Sequence, residues 1–217
     1  MRESFLSPIQ TRKVASTGKP IIISTGMATV AEIDEAVAAA REAGGKDIIL
    51  LKCTSAYPAS PEDTNLLTIP HLRQLFNVEV GLSDHTLGIG VAVASVALGT
   101  IVIEKHFTLS RADGGVDSAF SMEPWEMKLL VEETHKAWQA LGKVSYGTTE
   151  KEKASAKFRR SIYIVEDIKK GEKFTSKNLR IIRPGNGIPP KFNDIILGKI
   201  ASLDIKRGTP MSWKFIG

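Results

Sequence analysis

Along the first two thirds of the chain, apolar residues come in short unbroken runs separated by longer stretches of helical period. The runs are Pro20–Ser24, Ile48–Leu51, Val78–Leu82 and Ile101–Ile103. Uninterrupted runs of this length are expected of strands buried on both faces, the condition of a parallel sheet. Each leads into a polar cluster, centred on Ser24, Cys53, Ser83 and His106, and these centres are 29, 30 and 23 residues apart. The intervening segments read as helices. Gln10–Thr17 is a helix tail stopped by Gly18. Thr29 caps a helix over Glu32–Ala43, with Ile33, Ala36, Val37 and Ala40 on one stripe and Gly44-Gly45 ending it. Ile69–Phe76 is helical, Gly88–Gly99 is small and apolar enough for a buried helix, and Pro124 opens a helix to about Leu141. A repeat of roughly 30 residues is the βα unit of a (β/α)₈ barrel. Four units are present, which is half a barrel.

A polar stretch from residue 142 onward ends this pattern. Beyond Arg159 the expected strands are short, at Ser161–Val165, Leu179–Ile182 and Met211–Ile216. Turns separate them at Lys169–Glu172, Pro184–Gly187 and Asp204–Gly208. Gly/Pro punctuation with little helix predicts a small all-β domain. The expected division is 1–145, a linker at 146–158, and 159–217.

Charge sharpens that division. Residues 1–150 hold 13 Lys/Arg against 18 Asp/Glu, a balance of −5, and residues 151–217 hold 16 against 6, a balance of +10. A basic module of this kind serves nucleic acid, an anionic substrate or the acidic part of a partner subunit. Without aromatics interleaved among the cations, nucleic acid is disfavoured. No apolar run approaches the roughly 20 residues that span a bilayer, and the N-terminus lacks a signal-peptide core, so no membrane partner is expected. The single cysteine, Cys53, rules out an internal disulfide and suits a reducing cytoplasm.

The candidate chemistry lies in the polar clusters that follow the third and fourth strands. His85 and His106 stand at the ends of neighbouring strands, about 4.8 Å apart in a sheet, at the edge where parallel α/β architectures collect their chemistry. One such histidine alone reads as a backbone hydrogen-bonder. Two of them, 21 residues apart and each within two residues of a carboxylate (Asp84, Glu104), point to one shared divalent cation. His71 and His135 fall in helical stretches and read as surface residues. Cys53 reads as a small strand-end hydrophobe, since no histidine adjoins it in sequence.

At STGMAT (24–29), KCTSAYPAS (52–60), GLSDHTLG (81–88) and EKHFTL (104–109), the chain resembles the nonulosonic (sialic-type) acid synthases. Its tail, RRSIYIVEDIKKGEKF…LRIIRPGNGI…ILGKIASLDIKRGTP, is similar to the antifreeze-like (SAF, β-clip) domain that ends those enzymes. CTSAYPA and GGVDSAFSMEP (114–124) look most like the pseudaminate-forming members; legionaminate- and N-acetylneuraminate-forming members are the alternatives. The resemblance implies the C-terminal half of a TIM barrel followed by an SAF domain. It also implies a reaction, condensation of phosphoenolpyruvate with an acyclic 2,4-diacetamido-2,4,6-trideoxy-altrose to a nine-carbon keto acid and phosphate. His85 and His106 would hold the metal and share catalysis with Asp117, and Mn²⁺ is expected over Mg²⁺, Co²⁺ or Zn²⁺. By the same resemblance Ser55 and Ser83 contact phosphoenolpyruvate, and Tyr57 and Asp117 contact the sugar. Arg183 reaches into the partner's barrel of a domain-swapped homodimer. Family members begin with four further βα units, so the expectation is a fragment, a truncated product or a split half with little activity alone. The opposed expectation is a non-catalytic protein that keeps metal- and sugar-binding groups.

Overall fold

A parallel four-stranded sheet carries the first part of the molecule. In the computed structural model, which describes residues 7–217, the strands are β1 (Ile21–Ser24), β2 (Ile48–Cys53), β3 (Glu79–Ser83) and β4 (Ile103–Glu104), ordered as in the sequence. Residues 1–6, the opening of the expected first domain, lie outside the described residues. The helices here are α1 (Pro8–Ala15), α2 (Val30–Glu42), α3 (Thr68–Phe76), α4 (Gly90–Val96) and α5 (Pro124–Leu141). The chain divides into two units, 1–143 and 144–217.

Local chemistry sets the element ends. Thr29 and Glu32 close a reciprocal capping box at the start of α2, which satisfies two otherwise orphaned N–H groups. Pro124 occupies the first turn of α5, and Asn77 ends α3 in the left-handed region at φ 49°. The sheet sorts its side chains by alternation. Ile21, Ile48, Leu50, Val80 and Leu82 form one core with Ile33, Ala36, Val37 and Ala40 of α2 and Ile69, Leu72 and Phe76 of α3. The intervening strand positions face the other way. Gly81 is required there, since a Cβ would stand 2.4 Å from the Val102 carbonyl oxygen and 2.5 Å from Leu51 Cδ2.

Two elements differ from the sequence reading. The fourth strand is Ile103–Glu104 rather than Ile101–Ile103. The expected helix over Gly88–Gly99 narrows to Gly90–Val96, because its flanking glycines Gly88 and Gly99 both take positive φ, which suits turns.

The second unit joins β5 (Ser161–Ile164) and β6 (Leu179–Ile182) as an antiparallel pair. The rest of its chain is tied by isolated bridges such as Lys173 to Ile200 and Ala201 to Ile216. Ile162, Ile164, Ile168, Phe174, Ile196 and Met211 fill its core. The expected strand at Met211–Ile216 is instead a 3₁₀ turn, Trp213–Phe215, flanked by bridges. The stretch read as linker contains a one-turn helix α6 (Glu150–Lys153), capped by Thr149 and Glu152. A second one-turn helix, α7, spans Asn193–Ile196.

Candidate active site

Strand register builds the site in two layers. Cys53 pairs with Ser83 and Ser83 with Glu104 across β2, β3 and β4. A step of two residues returns a side chain to the same face, so Ser55, His85 and His106 follow in a second layer just past the strand ends. These six residues, with Tyr57, Glu32 and the segment 21–28 after and along β1, line a cavity of about 660 Å³. That volume suits a small-molecule ligand. Among the described residues the lining contains the carboxylates Glu32 and Glu104 and no lysine or arginine.

His85 is buried and held from three sides. Its Nδ1 lies 2.8 Å from the Thr54 carbonyl oxygen. A carbonyl only accepts, so Nδ1 carries the hydrogen, and the neutral ring keeps its lone pair on Nε2. The Ala59 N–H donates to the His85 carbonyl at 2.9 Å. A hydrogen bond with Cys53 holds the imidazole above its ordinary pKa against the opposing effect of burial. Burial pushes the Cys53 thiol up, but His85, Ser55 and Ser83 outweigh it and leave the thiol below its usual value. Cys53 is 5% exposed at the end of β2, in keeping with a small strand-end hydrophobe, and the histidine absent from its sequence neighbourhood lies across the sheet.

His106 faces His85 with ring centroids 5.2 Å apart. Two imidazoles sharing one ion through bonds of about 2.1 Å place their centroids about 5 Å apart, so the pair fits a common divalent cation. Asp117 Oδ2 stands 3.7 Å from His106 Nδ1. Among the described residues no group of three or more His, Cys, Asp or Glu is arranged to hold a metal. Tyr57 lies 4.3 Å from the His85 ring and 5.8 Å from that of His106. Phe120 closes the other side, 5.1 Å from His106 and 5.8 Å from Tyr57.

The loop that carries Asp117 and Phe120 is bound to the site at its base. Met122 N–H donates to the His106 carbonyl at 2.8 Å, and Thr108 N–H to the Met122 carbonyl at 2.9 Å. Arg111 pairs with Glu126 and donates to the Ser121 carbonyl at 3.0 Å.

Of the residues expected from the sequence, Ser55, Tyr57, Ser83, His85 and His106 line one cavity, with Asp117 beside it. Ser83 donates to Glu104 at 2.7 Å. Arg183 is exposed in the second unit, at the head of a loop whose base Ser161 fixes by donating to the Pro184 carbonyl at 2.7 Å and accepting from Gly187 N–H at 2.9 Å. His71 and His135 are exposed on α3 and α5. Glu104 was named from the sequence only as the carboxylate near His106 and not as a lining residue, and Phe120 was not singled out. The two-residue step from Glu104 to His106, matching Ser83 to His85, was the available signal for the first; Phe120 had none.

Residues 9–146 match the model of the NeuB family and residues 159–216 that of the SAF domain. Pseudaminic acid synthase of Campylobacter jejuni is 45% identical over 197 residues, which are 91% of this chain and 57% of that protein. N,N'-diacetyllegionaminic acid synthase of the same organism is 41% identical over 198 residues, 90% of this chain and 59% of that one. The chain therefore spans less than two thirds of the length of these curated relatives. Among solved structures, the spore coat polysaccharide biosynthesis protein SpsE of Bacillus subtilis matches with a TM-score of 0.61 at 31% identity, covering 99% of this chain and 66% of that one.

Proposed function

The chain belongs to the NeuB family, and on that premise we propose that its first unit is the metal- and sugar-facing part of a phosphoenolpyruvate-dependent pseudaminic acid synthase. In this reading phosphoenolpyruvate condenses through C3 with the aldehyde of a 2,4-diacetamido-2,4,6-trideoxy-altrose. Water adds at C2, and loss of the phosphate group from that carbon gives a nine-carbon keto acid and phosphate. The observation that carries the reading is the pair of imidazoles, His85 and His106, facing each other at 5.2 Å over one cavity.

A divalent cation held by the two histidines, manganese where oxygen ligands complete its shell, would supply Lewis-acid polarisation of the aldehyde. The chain's own groups orient the reactants. The Tyr57 ring and Phe120 wall the acyclic sugar, and Asp117 accepts from a sugar hydroxyl. Ser55 and Ser83 offer hydroxyls to phosphoenolpyruvate. With no lysine or arginine among the described lining residues, these hydroxyls leave most of the substrate's charge unmatched by the side chains described around this cavity. A second reading, binding of metal and sugar without turnover, draws its support from that deficit.

The test is phosphate release from phosphoenolpyruvate by a chimera in which the N-terminal part of the Campylobacter relative precedes residue 9. We expect Mn²⁺-dependent turnover with the altrose acceptor, at least about 10-fold above the acceptors of the legionaminate- and neuraminate-forming relatives, a 1.4 kcal/mol preference. Manganese binding without phosphate release from any acceptor would favour the second reading.

We further propose that Arg183 acts across a homodimer, on the cavity of the partner subunit. The opposite charge balances of residues 1–150 and 151–217 support electrostatic docking of one on the other. In the chimera, Arg183→Ala is expected to lower kcat/KM about 30-fold or more with little change in stability. Mixing it with a His85→Ala/His106→Ala chimera should restore part of the activity. A monomer with full activity would rule the arrangement out.

A further inference from the structure

Behind the two histidines, on the face of the strand ends turned away from the cavity, an ammonium and a carboxylate are buried together. Asp84 and Lys105 occupy the positions between Ser83 and His85 and between Glu104 and His106, so alternation sends their side chains opposite to those four. Their side chains are 0% and 2% exposed, with Nζ 3.0 Å from Asp84 Oδ2. The ammonium also donates to the carbonyls of Thr86 at 2.6 Å and Gly88 at 3.0 Å, which uses all three of its hydrogens. The other carboxylate oxygen accepts from Thr86 N–H at 2.9 Å and from its hydroxyl at 2.8 Å. The segment 84–88 is thereby wrapped around one cation that is borne by the neighbouring strand. His85 sits inside that wrap and His106 is the next residue after the cation.

We propose that Asp84 and Lys105 are positioning residues that set the separation and ring orientation of His85 and His106. The inference rests on reading those histidines as a divalent-metal pair, and it adds the part of the protein that fixes their spacing. The last ladder bond between the strands is the Asp84 N–H to the Glu104 carbonyl at 2.9 Å. Beyond that rung the backbones of the two histidine segments are joined through this ion pair. Groups hydrogen-bonded to metal-ligating histidines commonly carry about 10–100-fold in metal affinity; Asp84 and Lys105 act one step further back, through the backbone that carries the two rings.

The test compares the full chain with Asp84→Asn and with Asp84→Asn/Lys105→Met. The first keeps an oxygen for Thr86 while turning an amide donor toward the ammonium. The second removes both charges and leaves neither buried unpaired. Mn²⁺ affinity is read from the electron paramagnetic resonance of the free ion, and the His85 tautomer from imidazole ¹⁵N shifts of the metal-free protein. We expect the double variant to stay folded with a dispersed amide spectrum, Asp84→Asn to be the less stable of the two, and the folded protein to show a Mn²⁺ Kd raised at least about 10-fold and a His85 ring that averages between tautomers instead of holding its proton on Nδ1. Folded variants with wild-type affinity and wild-type tautomer would overturn the proposal, as would unfolding of both variants, which would make the pair structural only. If the wild-type chain binds no Mn²⁺, the metal reading fails by itself, and the tautomer comparison alone decides whether the pair positions His85.

Discussion

Lys105→Met is expected to destabilise the first unit by about 3–5 kcal/mol, the cost of leaving a buried charge without its partner. Small domains hold about 5–15 kcal/mol in all, so the variant should lie close to unfolding in dilute buffer. The reason is the geometry around Nζ. Among the described residues, the substitution removes the only cation bonded to a carboxylate that is 0% exposed, and it orphans the Thr86 and Gly88 carbonyls as well. Methionine fills most of the volume, so the loss is electrostatic and not a cavity effect. The double variant Asp84→Asn/Lys105→Met should recover most of the stability, since removal of both charges of a buried pair is often close to neutral. Urea denaturation of the three proteins measures the difference. A loss below about 1 kcal/mol for Lys105→Met, the range of exposed pairs, would mean that water reaches the site.

The same strand ends show how far residue pattern alone reaches. β2 and β3 were legible because burial on both faces writes a strand as an unbroken apolar run, as in Ile48–Leu51 and Val80–Leu82; β1 shows the same apolar run although its Ile22 is exposed. α2 and α5 were legible because their starts are chemically marked by Thr29 with Glu32 and by Pro124. β4 slipped because the apolar run Ile101–Ile103 starts in the turn after α4 and only its end enters the ladder. The strand expected at Met211–Ile216 failed for a related reason. Apolar residues in a small domain fill the core from turns as readily as from strands, and Met211 and Phe215 do so here.

Among the site residues, Ser83 and Tyr57 came only with the family resemblance, whereas the two histidines could be found because strand-end position is a sequence property. The contact of Cys53 with His85 could not. The two are 32 positions apart in the chain, and they meet only because β2 and β3 pair Cys53 with Ser83. A register shift of one residue would have turned one of them to the opposite face. Phe120 was hidden by the same lack, since its loop returns to His106 through backbone bonds that no side-chain pattern announces.

The largest expected loss of function comes from the histidines themselves, and the two should separate into different phenotypes. In the chimera, alanine at either His85 or His106 is expected to lower turnover at least about 10³-fold, since Lewis-acid stabilisation contributes several kcal/mol and each 1.36 kcal/mol is a factor of ten. In the 217-residue chain, either substitution should weaken Mn²⁺ binding by at least about 100-fold, because only two imidazoles converge on the site. Stability should distinguish them. His85 is 8% exposed, donates to the Thr54 carbonyl and packs under Tyr57, so His85→Ala removes buried contacts and strands a carbonyl, at about 1–3 kcal/mol. The His106 side chain is 31% exposed and its nearest carboxylate, Asp117, lies beyond hydrogen-bond distance at 3.7 Å, so His106→Ala should cost less than about 1 kcal/mol. His106→Ala is therefore the cleaner probe: a well-folded protein that has lost the ion and the reaction together. If it keeps wild-type Mn²⁺ affinity, or turns over within about 10-fold of the parent, His106 does not hold the metal and the paired-imidazole site is wrong.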